Sequence, residues 1–336
     1  MAKKNYKLEW IRAIACVMVV LIHVANFYCR AYETISISEY VFSVFLNALS
    51  RVSVPSFFMI SGYLLLERCD SVRSSMKKAL RFAVILALWS VVYFLLKTYY
   101  THQSCDITKV LFSPTKAHLW YLYVLIPIYI MLPFLQSMIR GMNENLEHAL
   151  VIIGAVWFVL IKLVGNKFYY DLPILSDRSY VYYFYLGYYL KKYSSRIKLK
   201  SGALISIYLL GSVVITFFTV IMSSKKGAHY DSLLAYTYPV TIINSVAFFL
   251  AVLKLREEVF KPENKALRFV NVFASCSFGI YLCHLAFFDI YRFNKSPDSL
   301  SAFLALPLLT LCVTSVSFGA VYLWKCITKK IQHKKG

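Results

Sequence analysis

Lys7-Leu8-Glu9-Trp10-Ile11-Arg12-Ala13-Ile14-Ala15-Cys16-Val17-Met18-Val19-Val20-Leu21-Ile22-His23 is the stretch that decides the fold. Beyond Arg12 it is an unbroken apolar run up to His23, and with the residues that follow it is long enough to cross a bilayer as a helix. Arg12 and His23 are eleven positions apart. At about 100° per residue that is about three turns plus 20°, so both lie on one helix face, with about 16 Å of rise between them. Glu9 flanks Arg12 on that side and Asn26 flanks His23. Ionisable groups at membrane depth are costly unless they face a protein interior or a wet cavity. A polar stripe on a membrane-length helix therefore predicts a functional site.

The rest of the chain repeats the apolar pattern. Of its 336 residues, 59% are hydrophobic and 17% aromatic, mean hydropathy is +0.60, and only 16% are charged. Soluble domains are nearer about 45–50% apolar, so a soluble enzyme is excluded. The apolar runs are long rather than short and alternating, which excludes a transmembrane barrel. The expected fold is all-α: a polytopic transmembrane helix bundle of about ten spans. They are placed at 8–28, 39–66, 78–100, 118–137, 147–165, 174–191, 201–222, 232–254, 270–291 and 300–324. The sixth is the least apolar, since Asp177 and Arg178 sit near its start. Its Tyr-rich run from Tyr180 to Tyr193 is expected partly in the interfacial layer, where aromatic belts concentrate. With no soluble segment, linker or repeat in sight, residues 1–336 read as a single membrane-embedded domain.

A net charge of +21 would suit a nucleic-acid binder, but the placement of the charge argues otherwise. Lys and Arg cluster between spans, and those on the side of the N-terminus outnumber the others by about two to one, which puts both termini in the cytoplasm. The basic charge is thus mostly topogenic. Nucleic acid is not an expected partner, membrane lipids are the surroundings, and the count does not by itself require bound anionic headgroups. The first apolar run is no cleaved signal: it is long, lacks a small-residue cleavage site and carries the stripe. The eight cysteines show no metal-ligand spacing, and no metal is expected. Cys29 and Cys105 both fall on the outer side, where a disulfide between them is one arrangement.

Depth sorts the remaining polar residues. His23 lies about 22 Å into a span entered from the cytoplasm. Arg51 on the second span, His118 at the outer start of the fourth and His284 on the ninth fall at similar levels, so four helices offer polar groups to one cavity. Arg12 and Glu9 sit at its cytoplasmic mouth, where an i, i+3 ion pair is an equally simple reading. His118 also suits an interfacial position, and His284 a bond to a neighbouring helix. His102, His148, His229 and His333 sit in loops or at span ends and are given no role. A histidine suits general-base work near neutral pH. An arginine keeps its proton and serves as an anion anchor or a donor to a developing oxyanion. Base plus oxyanion donor is the minimal equipment for acyl transfer to a hydroxyl, and the same groups also suit a transport path.

At these residues the chain resembles the acyltransferase-3 family of membrane O-acyltransferases. The Arg12-x10-His23 spacing matches that family's first-helix motif. Arg51-Val52-Ser53-Val54-Pro55-Ser56-Phe57-Phe58-Met59-Ile60-Ser61-Gly62-Tyr63 resembles its second-helix signature. His118-Leu119-Trp120-Tyr121-Leu122 and Ser277-Phe278-Gly279-Ile280-Tyr281-Leu282-Cys283-His284 resemble two later blocks. Glu9 stands where many members have Asp, and Ala13 where Gly is common. The chain resembles the short members, without an appended esterase-like domain.

The resemblance implies an acyl-coenzyme A donor, acetyl-coenzyme A above all, on the cytoplasmic side. It implies a glycan or lipid-linked saccharide as acceptor. His23, Arg51 and Glu9 become the catalytic groups, with His23 as base and Arg51 on the oxyanion. Arg12, Arg73 and Lys77 would hold the donor's phosphates. His118, Trp120, Tyr121 and His284 would shape the acceptor site, and an acyl-histidine relay is a variant. The expected setting is the plasma (inner) membrane of a bacterium, multi-pass. The alternative is a transporter or exporter, because membrane domains resembling this family are also linked to uptake and polysaccharide export. A structural assembly partner is a third reading.

Overall fold

The computed structural model describes residues 5–101, 113–165, 180–260 and 265–333, so Cys105, His102 and the first part of the sixth expected span lie outside the described residues. Among the described residues eleven α-helices follow one another: α1 Tyr6–Cys29, α2 Ile37–Ser50, α3 Ser53–Leu65, α4 Val72–Thr101, α5 Trp120–Gly141, α6 Glu144–Val164, α7 Val181–Tyr193, α8 Ser201–Lys226, α9 Pro239–Leu253, α10 Lys265–Arg292 and α11 Ala302–His333. No strand occurs among the described residues. Nine of the resulting segments are long and apolar enough to cross a membrane, α2 and α3 counting as one. The protein is an all-helical, multi-pass membrane protein.

Local chemistry sets the helix ends. The Asn5 side chain accepts from the Leu8 N–H at 3.3 Å and caps α1, with Glu9 in the first turn on the favourable side of the helix dipole. α2 opens on a capping box between Ser36 and Glu39. Glu39 also accepts the Ala302 N–H at 3.0 Å, so one carboxylate serves the starts of α2 and α11. The second expected span, 39–66, is interrupted at Arg51–Val52. The cause is Pro55, which has no N–H for the Arg51 carbonyl and whose ring crowds it. The helix resumes from Ser53, with Ser56 N–H bonded to the Val52 carbonyl at 3.0 Å.

The chain divides into two compact units. The first runs to Phe57 and resumes at Ser194. In it α1 is central, packed against α2, α9, α10 and α11, with α8 joined to α2 and α9. Its contact with α10 and α11 sets small residues against larger ones: Ala13 and Cys16 meet Phe273, Ala274, Cys276 and Ile280, with Phe318 and Val321 behind. Lipid is as apolar as leucine, so close packing of such residues, rather than hydrophobic exclusion, holds membrane helices together.

The second unit is the continuous stretch Phe58–Tyr193. α4 packs on α5, and α6 on α7. Most tyrosines of the Tyr-rich run are buried in the protein. Their hydroxyls need acceptors in an apolar setting, and α6 supplies them. Tyr182 donates to the Val151 carbonyl at 2.8 Å and Tyr185 to the Glu147 carbonyl at 2.7 Å. The buried Glu147 carboxylate takes Tyr188, Tyr193 and Lys192, at 2.6, 2.5 and 2.8 Å. α3 and α7 touch backbone to backbone: a Cβ at Gly62 would overlap the Phe184 carbonyl, and one at Gly187 the Met59 carbonyl.

Candidate active site

Within the first unit, α1 and α10 bring His23 and His284 together. The ring centroids are 5.2 Å apart and the planes are tilted by 42°. Cys16, two turns before His23, points its thiol at the Ser277 carbonyl at 3.8 Å, two turns before His284. The helices are therefore in register over both intervals, and the histidines meet because each stands seven residues past that contact.

His284 is fully buried. Its Nδ1 lies 2.8 Å from the Tyr281 carbonyl and 3.1 Å from the Ile280 carbonyl of its own helix. Both are acceptors, so Nδ1 carries the proton, and in the neutral ring Nε2 holds the lone pair. That edge is turned away from the α10 backbone.

One turn further along both helices stands an aromatic group. Phe27 meets Phe288 and Tyr291 edge-on, at 5.9 and 6.3 Å between centroids. The Tyr28 hydroxyl lies 3.4 Å from that of Tyr291 and 3.2 Å from the Leu300 carbonyl. Phe27 and Phe288 follow His23 and His284 by four residues each, so they cover the pair on that side. At the other end of α1, Arg12 and Glu9 form an ion pair at 2.7 Å, with side chains only 25% and 13% exposed.

Arg51 ends α2 in the same unit. Its Nε donates to Asn47 Oδ1 at 2.8 Å, and its guanidinium lies 5.3 Å from the centre of the Tyr236 ring. Its own polar contacts are these two residues, not His23. Its depth is nonetheless fixed: Asn47 Nδ2 reaches Cys29 Sγ at 3.7 Å, and Arg51 lies a turn, about 6 Å, further along α2. That level is within about a turn of His23 on the antiparallel α1. His229, to which its loop position gave no role, is built into this end of the unit. Its Nδ1 lies 2.8 Å from the Tyr40 hydroxyl, which is 2.6 Å from Ser223 Oγ. Burial, with Arg51, Arg30 and Lys226 outweighing the opposite pull of Asp231, pushes the His229 imidazole down to about 4.

His118, Trp120 and Tyr121 belong to the second unit, and Arg73 and Lys77 stand there on α4. His118 is buried, edge-on to Tyr93 at 5.0 Å. Trp120 packs on Tyr180 at 4.9 Å, and Phe58 packs on Tyr121 at 4.7 Å and stacks on Tyr180 at 5.2 Å. Tyr180 holds a φ of 53°, a left-handed conformation that costs a non-glycine residue free energy. Sequence reasoning missed it, because only the backbone shows the strain.

Comparisons with known proteins show the family. The family described as an acyltransferase domain matches residues 5–323. A Staphylococcus epidermidis protein named probable poly-beta-1,6-N-acetyl-D-glucosamine export protein is 23% identical, over 99% of this chain and 97% of its own length. A Staphylococcus aureus protein of the same name is 21% identical, over 99% of this chain and 98% of its own length. No solved structure matches. A match that spans both units and includes His23, Arg51, His118 and His284 leaves one conclusion: the chain belongs to the acyltransferase-3 family of membrane proteins.

Proposed function

We propose that this protein moves an acyl group, acetyl in the simplest case, from cytoplasmic acyl-coenzyme A to a hydroxyl of an extracytoplasmic or lipid-linked glycan. The observation that carries the reading is the His23–His284 pair, two imidazoles in contact at membrane depth with the tautomer of one set by backbone carbonyls. The relatives' printed name supports a polysaccharide as the acceptor class.

His23 takes the proton of the acceptor hydroxyl. The oxygen then bonds to the thioester carbon, the C–S bond breaks, and the thiolate leaves with the proton from His23. His284 does not touch the reacting atoms. Its ring, packed on that of His23, is placed to support the imidazolium that forms. Arg51 is the cation at that depth for the developing oxyanion, and Tyr236 and Asn47 hold its guanidinium in place. Phe27 and Tyr291, half-buried, offer the acceptor sugar its aromatic surface in the same unit, with Phe288 packed behind Phe27. Arg12, with its charge shared by Glu9, is the donor-side cation of α1.

Export of a polysaccharide is the second reading, favoured by the relatives' name alone. One experiment separates the two. Membranes holding the wild type or His23→Ala receive labelled acetyl-coenzyme A and a lipid-linked glycan extract from the host. Label entering glycan with the wild type only is the expected result. Equal labelling by both sinks the role of His23. Glycan crossing the membrane with no donor consumed moves the assignment to export.

A further inference from the structure

α4 is 30 residues long, about 45 Å at 1.5 Å per residue, whereas the hydrocarbon layer is about 30 Å thick. About ten of its residues therefore lie outside the hydrocarbon. The sequence says which ten. Arg73, Lys77, Lys78 and Arg81 occupy the first three turns, and from Phe82 to Thr101 the helix carries only Lys97. The turns from Val72 to Arg81 thus stand at headgroup level.

Two rows run along these turns. Val72, Met76 and Leu80 are apolar and exposed, and the row continues through Val84 and Leu88, also exposed. This is a lipid-facing surface. One position on, Arg73, Lys77 and Arg81 form an exposed basic row. With Ser71, Ser74 and Lys78 they line an open depression of about 560 Å³. Lys78 is spent on Asp70 Oδ1 at 2.7 Å, and Gln136 Nε2 takes the other oxygen of that carboxylate at 3.1 Å. Among the described residues no carboxylate pairs with Arg73, Lys77 or Arg81. Like charges four residues apart on one helix repel, here at the positive end of its dipole. An anion in the depression relieves both penalties.

We propose that this basic row is a binding site for the phosphate headgroup of an anionic phospholipid, with the lipid's chains lying along Leu80, Val84 and Leu88. A soluble phosphate ester would use the cations alone, whereas a lipid uses both rows. That juxtaposition is why the row belongs to the membrane rather than to the donor, to which the sequence reading gave Arg73 and Lys77. The inference is independent of the acyl-transfer reading. A cation near a membrane surface is worth about fivefold in affinity, so three are worth about a hundredfold.

The test uses the full chain purified in detergent and titrated with phosphatidylglycerol or phosphatidylcholine, with bound lipid read by native mass spectrometry. Wild type is compared with Arg73→Gln/Lys77→Gln/Arg81→Gln, and with Lys325→Gln/Lys329→Gln/Lys330→Gln on α11 as a charge-matched control. The expected result is a phosphatidylglycerol preference about a hundredfold weaker in the α4 variant and kept in the control. If the triple variant does not fold, Lys77→Gln carries the test with about a fivefold loss. An undiminished preference in the α4 variant overturns the proposal, and so does an equal loss in the control. Displacement of the lipid by coenzyme A, with coenzyme A affinity falling in the α4 variant, overturns it in favour of the donor.

Discussion

Replacing His284 tests the assignment of roles most directly. His284→Leu removes the Nε2 acceptor and leaves His23 in place. If Nε2 supports the His23 imidazolium, the loss is one hydrogen bond to a charged group, about 1.5–3 kcal/mol. That is a rate about 10- to 150-fold lower. The basis for that magnitude is the contact between the rings, 5.2 Å between centroids, together with the Nδ1 contacts that leave the lone pair on Nε2. His23→Ala removes the proposed base and should cost more, about 10²–10⁴-fold. His284→Gln places an amide oxygen near the position of Nε2 and should recover part of the loss. The assay is transfer of labelled acetyl from acetyl-coenzyme A to glycan in membranes, with protein quantified by fluorescence-detected size exclusion. A folded His284→Leu protein working within twofold of wild type would refute the reasoning, as would a Gln variant no better than Leu.

Two further outcomes follow from the packing and the charges. Gly187→Ala should sharply reduce the folded yield in detergent, because its Cβ overlaps the Met59 carbonyl and a backbone cannot rotate away; the strain falls at or above the usual 1–3 kcal/mol or so of an overpacked core. Gly202→Ala, with nothing within 4 Å of the new Cβ, should behave as wild type, and equal yields from the two variants would contradict the α3–α7 contact. His229 makes the outer end of the first unit sensitive to acid. Its folded value near 4 is below the unfolded value of about 6.5, so the unfolded chain binds a proton first as pH falls. Stability is full above about 6.5 and declines toward about 4. His229→Asn, which keeps an acceptor for Tyr40, should flatten that decline in melting curves taken between pH 7.5 and 4.5. Parallel curves would remove His229 as the cause.

Much of this was legible in the sequence because membrane helices advertise themselves. The apolar runs gave the spans, and counting rise per residue put His23 and His284 at one depth, where the structure has their rings in contact. What was not legible depends on single residues whose effect is geometric. The break at Arg51–Val52 leaves average hydropathy unchanged, although Pro55 was there to be weighed. The packing of the Tyr-rich helix was not legible either, because tyrosine count does not reveal that α6 offers Glu147 and its backbone as acceptors. His229 looked idle because a loop position says nothing about Tyr40 and Ser223, which are far from it in sequence. Tyr180 gave no signal at all, since a positive φ is a property of the backbone and not of the residue type.

The first unit is discontinuous, and that has a consequence in time. Cys16 meets Ser277 across 261 residues of chain, and His23 waits as long for its partner. At a synthesis rate of about 5–20 residues per second, the wait is roughly 13–50 s. The stretch Phe58–Tyr193 is made entirely within that interval, so it is able to close on itself before α10 and α11 exist. Until then α1 stands in the membrane with its polar stripe facing a gap that lipid or the insertion machinery has to cover. The histidine pair is therefore assembled late, after the whole of Phe58–Tyr193 has been made. A chain that stops before α10 inserts its earlier helices yet lacks His284, so an incomplete product never forms the pair.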